Sequence, residues 1–353
     1  MPLFTVLITT YNYGQYIEQA VKSAIHQTLS PDLFEIIVVD DGSTDDTADR
    51  LKRFGEAIFY HFQDNAGQAA AFNKGIELAR GEFVAFLDAD DIWHPEKLAC
   101  VRDFLRRNSD VDLLYHPLCM IDMNGEKLGV HPKYEIDHVI RDPLIELLHS
   151  GLKEPAATSG IVCRLDLLKQ IYPVLPDYRI CADSYIAVTT PLLVTSIGYL
   201  GQPFAYYRIH SANGYSSYDE NSDSYACRKP EVYLEKVRLD LKCLDIVAEK
   251  LCGDPVRNGY YQRYRLLLSM QEMLLVRCNY GLFKALLLLL RSTASMRTGI
   301  NIDYCYRIIV ISIRLLIGDK LFFTLASYYV GSRLHSIVRS LMRQRSMEKC
   351  HGQ

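Results

Sequence analysis

Residues 83–98 read FVAFLDADDIWHPEKL. Phe83–Leu87 is an apolar run of the length expected for a buried strand, and it ends on three carboxylates within four residues: Asp88, Asp90 and Asp91. Pro95 then suits the first turn of a helix, with Leu98, Val101 and Leu105 following at helical spacing. A strand, a polar turn and a helix in that order form one repeat of an α/β fold.

The same repeat is written upstream. Leu3–Thr10 is an apolar, β-branched run that ends in Thr9-Thr10-Tyr11-Asn12, and Ile17, Ala20, Val21, Ala24 and Ile25 then recur at helical spacing. Phe34–Val39 reads as a second strand followed by Asp40-Asp41-Gly42-Ser43. Thr44 is positioned to cap the next helix, with Asp45 and Asp46 in its first turn, where the helix dipole favours negative charge. Ala57–His61, Ala66–Arg80 and Val111–Tyr115 continue the alternation as strand, helix and strand. The spacing predicts an α/β class domain with a mostly parallel central sheet covered on both faces. In such a sheet the strand ends share one rim, so three polar clusters from separate strands converge on one crevice.

Beyond residue 115 the pattern loosens, with a hairpin signal at Asn124-Gly125 and a polar, turn-rich stretch over 211–230 that reads as a loop or linker. Past Pro230 the chain becomes helical in composition. Leu234, Val237, Leu241, Leu244, Ala248 and Leu251 form a short heptad seam that predicts packing against the chain itself. Three segments follow from this: 1–115, a ligand-binding half; 116–227, a second half of the same domain; and 228–353, a basic helical region.

The 353 residues are 49% hydrophobic and 23% charged, which excludes wholesale disorder. The N-terminus lacks the basic flank and the long apolar core of a signal peptide. The ten cysteines include no C-x-x-C pair, as expected of reduced thiols in the cytoplasm. The net charge of −3 hides an asymmetry, because residues 228–353 carry 21 Lys and Arg against 10 Asp and Glu. That region can meet an anionic membrane surface, pair with a second copy, or form a plain helical subdomain. Its apolar stretches, Leu286–Leu290, Ile308–Ile313 and Leu321–Val330, are broken by charges before any could span a bilayer. No nucleic-acid partner is expected.

Acidic groups gathered on one rim repel one another and would disfavour a bare anion. A divalent cation, Mn2+ or Mg2+, makes them useful, since hard oxygen ligands suit it and it can bridge to a diphosphate. Neither acidic cluster has the pattern of a calcium loop, and the chain has no G-x-G-x-x-G after its first strand and no G-x-x-x-x-G-K-[ST].

The segments VLITTYNYGQYIEQAVKSAIHQT (6–28), EIIVVDDGSTDDT (35–47), NAGQAAAFNKGIELARGEFVAFLDADDIWHPEKL (65–98) and YRIH (207–210) resemble the family-2 glycosyltransferases, inverting sugar transferases of the GT-A fold. The resemblance implies a nucleotide-sugar donor, most simply a UDP-sugar, and a saccharide or lipid-linked saccharide acceptor, with the enzyme cytoplasmic or peripheral on the cytoplasmic face of a membrane. It implies that Thr9, Tyr11 and Asp41, with Asp40 beside them, hold the base and ribose. Asp88 and Asp90 match the family's D-x-D motif, with the cation on Asp90 and Asp91 sharing it. Gln68 and Asn73 fall where the family lines the donor pocket, and Trp93 either stacks on a sugar or anchors the core. Asp183 in RICADSYIAV matches the catalytic base, although Cys181 and Ala182 stand where the motif usually has an acidic neighbour. Arg208 and His210 match a segment that closes over the diphosphate, and Glu154 and Ser159, in the Thr158-Ser159-Gly160 turn, are placed at the acceptor. The alternative reading is a scaffold of the same fold without catalysis. A nucleotidyltransferase would need a glycine-rich, basic loop after the first strand, which Tyr11-Asn12-Tyr13-Gly14 is not.

Overall fold

A computed structural model describes residues 1–132, 134, 136–141, 143, 156–210, 216–219, 224–227 and 230–250, together with 261, 265, 269 and 272. The chain divides into two compact units, Met1–Arg265 and Leu266–Gln353. Of the second, Ser269 and Glu272 are described.

The first unit opens with β1 (Phe4–Thr10), α1 (Gly14–Ile25), β2 (Phe34–Asp40), α2 (Thr47–Leu51), β3 (Phe59–Phe62), α3 (Gln68–Leu78), β4 (Phe83–Asp88), β5 (Ile92–Trp93) and α4 (Lys97–Arg107). There follow β6 (Leu113–Tyr115), β7 (Leu118–Ile121), β8 (Lys127–His131), β9 (His138–Arg141), β10 (Ile161–Arg164), α5 (Leu165–Ile171), α6 (Ala182–Thr189), β11 (Ser196–Tyr199) and β12 (Ala205–Arg208). The large sheet has the order β3-β2-β1-β4-β10-β6-β11-β9. Strands β3, β2, β1, β4, β6 and β11 run one way, and β10 and β9 run against them. The expected mostly parallel sheet is therefore present, with β10 threaded antiparallel into its middle. A smaller sheet orders β5-β12-β7-β8, and its β7–β8 hairpin turns through Asn124-Gly125 as the sequence signals.

Strand alternation assigns the two faces of the sheet. Val6 and Ile8 of β1 pack with Ile17, Ala20 and Val21 of α1 and with Leu98 and Val101 of α4. Leu7, on the other face, packs with Ala71, Phe72 and Ile76 of α3, as do Phe86 of β4 and Ile186 of α6. Each such side chain contributes roughly 1.5–3 kcal/mol on burial. Gly75 lets α3 lie close on the sheet, since a Cβ there would stand 2.2 Å from Leu7 Cδ1.

Two expectations change. The helix after β2 starts at Thr47, because the Asp45 carboxylate accepts both the Thr47 N–H (3.0 Å) and its hydroxyl (2.5 Å); Thr44 instead turns its N–H to Asn12 Oδ1 (2.8 Å). Within the polar stretch 211–230, Ser216–Asp219 and Ser224–Cys227 pair as an antiparallel hairpin, β13 and β14. Their serines and acids disguise it as a loop.

The seam positions Leu234 to Ala248 lie on α7 (Pro230–Lys250), which packs against α6, and Leu251 lies outside the described residues. Leu234, Val237 and Leu244 are buried, so the seam is spent within the chain. Among the described residues no helix is long and apolar enough to cross a membrane. The apolar stretches from Leu286 onward, and with them the membrane-facing expectation for that region, lie outside the described residues.

Candidate active site

Parallel register brings the strand ends together. Thr10 pairs with Asp40 across β1 and β2, and Thr9 pairs with Asp88 across β1 and β4. Oxygen atoms of Asp88, Asp90 and Asp91 all lie within 4.8 Å of one another. Burial first, and then the neighbouring carboxylates, push Asp88 and Asp91 well above the usual carboxylate range. Asp91 Oδ1 accepts the Arg208 N–H at 3.0 Å, while its buried Oδ2 has no hydrogen-bond partner. Crowded carboxylates with one orphaned oxygen are the donor set a hard divalent cation takes up, so the residues fit such an ion.

The walls of the crevice are loops held by carboxylates. Asp40 Oδ1 accepts the Ser43 N–H (2.8 Å), and Oδ2 accepts the Tyr60 hydroxyl (2.9 Å). Asp41 Oδ1 accepts Ala66 N–H (3.0 Å) and Gln63 Nε2–H (2.8 Å), and Oδ2 accepts Gly67 N–H (2.7 Å). Gly67 has φ +94°, and a Cβ on it would meet Arg179 Cα at 2.7 Å, so only glycine allows the residue 179 loop to close here. Tyr11 stands at the lip, 46% exposed, and Thr9 is nearly buried below it.

Gln68 joins the two halves of the crevice. Its Nε2 donates toward Asp88 Oδ1 at 3.5 Å, and its Oε1 accepts the Ala182 N–H at 2.9 Å, at the start of α6. Asp183 follows in the first turn of α6; it accepts the Thr158 N–H at 3.2 Å on Oδ2 and the Ser184 N–H at 2.9 Å on Oδ1. Burial pushes the Asp183 carboxyl above its ordinary value, against these hydrogen bonds and the Lys236 charge. The Thr158 hydroxyl favours the ionised forms of both Asp88 and Asp183, which places it between them.

Three expected residues sit otherwise than the resemblance implies, and a fourth, Trp93, takes one of its two expected places. Asn73 does not join the cluster: its amide donates to Val174 O (2.9 Å) and accepts Val174 N–H (2.8 Å), tying α3 to the chain after α5. Ser159 is fully buried beneath the rim, where its hydroxyl accepts Asp88 N–H at 3.0 Å, so it does not face an acceptor. Arg208, 5% exposed, turns its guanidinium inward to Asp90 O (3.1 Å), Gln19 Oε1 (2.8 Å) and Met123 O (3.4 Å). It clamps the Asp90–Asp91 turn instead of reaching outward to phosphate. Trp93 is buried under the Lys97 ammonium, 3.7 Å from its ring centroid, which decides for the core-anchoring role. His210 does reach the cluster, with Nε2 3.0 Å from Asp90 Oδ2 and its ring stacked on Tyr16 at 5.0 Å. Glu154 lies outside the described residues.

Sequence reasoning missed a buried polar knot behind Asp183. Asp240 of α7 accepts the Tyr178 hydroxyl (2.7 Å) on Oδ1, and on Oδ2 the Lys236 ammonium (2.9 Å) and the Ser184 hydroxyl (3.5 Å). Burial pulls the Lys236 ammonium down, yet Asp240 and Asp183 hold it above its usual value. The signal was present: Lys236 and Asp240 stand four apart among the buried positions Leu234, Val237 and Leu244.

Comparison with known proteins sets this geometry in context. Residues 5–133 match the family model described as Glycosyl transferase family 2. An uncharacterized glycosyltransferase of Nostoc sp. (strain PCC 7120) is 37% identical over 60% of this chain and 66% of its own length. A Bacillus subtilis (strain 168) protein named as the teichuronic acid biosynthesis glycosyltransferase TuaG is 36% identical over 40% of this chain and 54% of its own. The chain thus spans between about half and two thirds of these relatives. The crystal structure of residues 1–349 of TarS from S. aureus shares the fold, with a TM-score of 0.57 and 20% identity over 90% of this chain and 81% of that one. The same TarS segment has also been crystallised with UDP-GlcNAc (TM-score 0.55, 21% identity).

Proposed function

The chain belongs to glycosyl transferase family 2, and on that footing we propose that it moves a sugar, with inversion, from a nucleotide-sugar to a hydroxyl of a saccharide or lipid-linked saccharide during polysaccharide assembly. The observation that carries this reading is the convergence of Asp88, Asp90 and Asp91 with Asp183 around one crevice, across the Thr158 bridge. A UDP-sugar is the first donor to test, given the UDP-GlcNAc complex of the TarS segment. TuaG lends the polysaccharide context by its name.

Each part of the crevice has a task. Tyr11 at the lip and the loops shaped by Asp40 and Asp41 would seat the nucleoside, and Asp88, Asp90 and Asp91, with His210 on Asp90, would hold Mn2+ or Mg2+. The cation neutralises the charge that develops on the departing diphosphate. Asp183 would accept the proton of the acceptor hydroxyl as that oxygen attacks the anomeric carbon from the face opposite the leaving group. The Thr158 N–H orients the Asp183 carboxylate. The proposed place of action is the cytoplasmic face of a membrane, with the basic segment 228–353 turned to anionic lipid.

Calorimetry of UDP with Mn2+, with Mg2+ and with chelator tests the donor site, followed by turnover of UDP-sugars. Binding of another nucleotide in place of UDP would change the donor and keep the reaction class. No nucleotide binding under any metal condition would leave the non-catalytic scaffold as the reading.

A further inference from the structure

Lys97 is the one fully buried lysine among the described residues. It lies at the start of α4, just beyond the acidic turn. Its Nζ donates to Ser159 O at 2.7 Å and sits 3.7 Å from the Trp93 ring centroid; burial pulls the ammonium well below the usual lysine range, and the Asp91 carboxylate works against that pull. An ammonium in such a place carries a large desolvation cost, and one hydrogen bond with one aromatic face offsets only part of it. A methionine would fill the space without that cost, so the charge calls for a reason other than packing.

Its contact supplies one. Thr158 and Ser159 belong to a three-residue turn that both halves of the crevice grip. Asp88 N–H donates to the Ser159 hydroxyl (3.0 Å), and Thr158 N–H donates to Asp183 Oδ2 (3.2 Å). This 3-10 turn, Thr158–Gly160, is otherwise tied to its surroundings through the backbone of His116, which donates to Gly160 O at 3.0 Å. Lys97 pulls on the Ser159 carbonyl, directly after the two gripped groups. We propose that Lys97 is a positioning residue: by fixing Ser159 O it sets where Thr158 presents Asp183 relative to the Asp88–Asp91 cluster. The inference rests on the assignment of Asp183 as the base. Lys97 touches neither donor nor acceptor, and the loops held by Asp41 are fixed without it.

The test uses the full-length chain with Lys97→Met, which keeps the apolar stem and removes the donor. The expected result is a melting midpoint equal to or above that of the wild type, UDP affinity with Mn2+ within about threefold, and a kcat lower by about 10- to 100-fold. Turnover is read as UDP release from whichever common UDP-sugar the wild type cleaves fastest. In an Asp183→Asn background, Lys97→Met should cause no further loss, because both changes act through the same carboxylate. The Thr158 amide should exchange with solvent at least about tenfold faster in Lys97→Met, with β1 and β4 unchanged. A kcat within twofold of wild type, losses that multiply in the double variant, or unchanged Thr158 exchange would overturn the proposal. If Asp183→Asn itself stays active, the base assignment fails, and Thr158 exchange alone then decides whether Lys97 holds the turn. Lys97→Gln serves the same readouts if Lys97→Met does not fold. If neither folds, Lys97 is a folding residue and the proposal falls.

Discussion

On the proposed reading Asp90 and Asp183 divide the chemistry and so should fail in different ways. Asp90→Ala removes the carboxylate that His210 touches at 3.0 Å and that crowds Asp88 and Asp91. UDP affinity in the presence of Mn2+ should fall by at least about tenfold in calorimetry, while binding in chelator stays unchanged. Asp183→Asn keeps an acceptor for the Thr158 N–H but has no basic oxygen. Turnover should drop by about 10²- to 10⁴-fold with UDP binding retained. Burial holds the Asp183 carboxyl above its ordinary value. The acid limb of wild-type kcat should therefore lie above the usual carboxylate range, rise with pH, and vanish from the residual activity of Asp183→Asn. Cys181, one of the two positions where the motif would have its acidic neighbour, adopts φ 57° just before α6, a backbone state uncommon for a residue with a Cβ.

At the scale of elements, the contact of α3 with β1 is the tightest helix approach described above. Gly75→Ala would drive a methyl to 2.2 Å from Leu7 Cδ1 and should cost about 1–3 kcal/mol, measured as the shift in urea midpoint. Asp240→Ala would leave the Tyr178 hydroxyl and the Lys236 ammonium without their shared acceptor, at a cost of about 3–5 kcal/mol by the same measurement. Elements also show what the sequence reveals and what it hides. Strands β1, β2 and β4 were legible because each is an apolar run closed by polar residues, and their parallel register follows from the helices between them. Strand β10 was not: Ile161–Arg164 is four residues long, and only its pairing with β4 and β6, far away in the chain, makes it a strand. The rim carboxylates were legible as a group because they follow strand ends. The inward turn of Arg208 and the burial of Ser159 were not, because both depend on backbone atoms of other segments.

Across the whole molecule, the carboxylates make stability depend on pH and on metal together. Asp88, Asp91 and Asp183 all titrate above their unfolded values, so these three groups bind more protons in the folded chain than in the unfolded one. In metal-free protein their contribution to stability should therefore be fully present below the ordinary carboxylate range and be lost as pH rises through the raised values. Mn2+ at about 100 times its dissociation constant should return roughly 2.7 kcal/mol. In thermal melts the gain from Mn2+ should grow from pH 5 to pH 8; a gain independent of pH would argue against these groups as its ligands. The antiparallel insertion of β10 also bears on how the chain is made. Until residues 161–164 emerge from the ribosome, the edge of β4 that they cover, and that carries the Asp88–Asp91 turn at its end, has no strand beside it. At roughly 5–20 residues per second that edge waits for about 4–15 s. During translation, the nascent chain is therefore most open to wrong pairing at the strand that later holds the Asp88–Asp91 turn, and slowing synthesis between residues 88 and 161 should lower soluble yield.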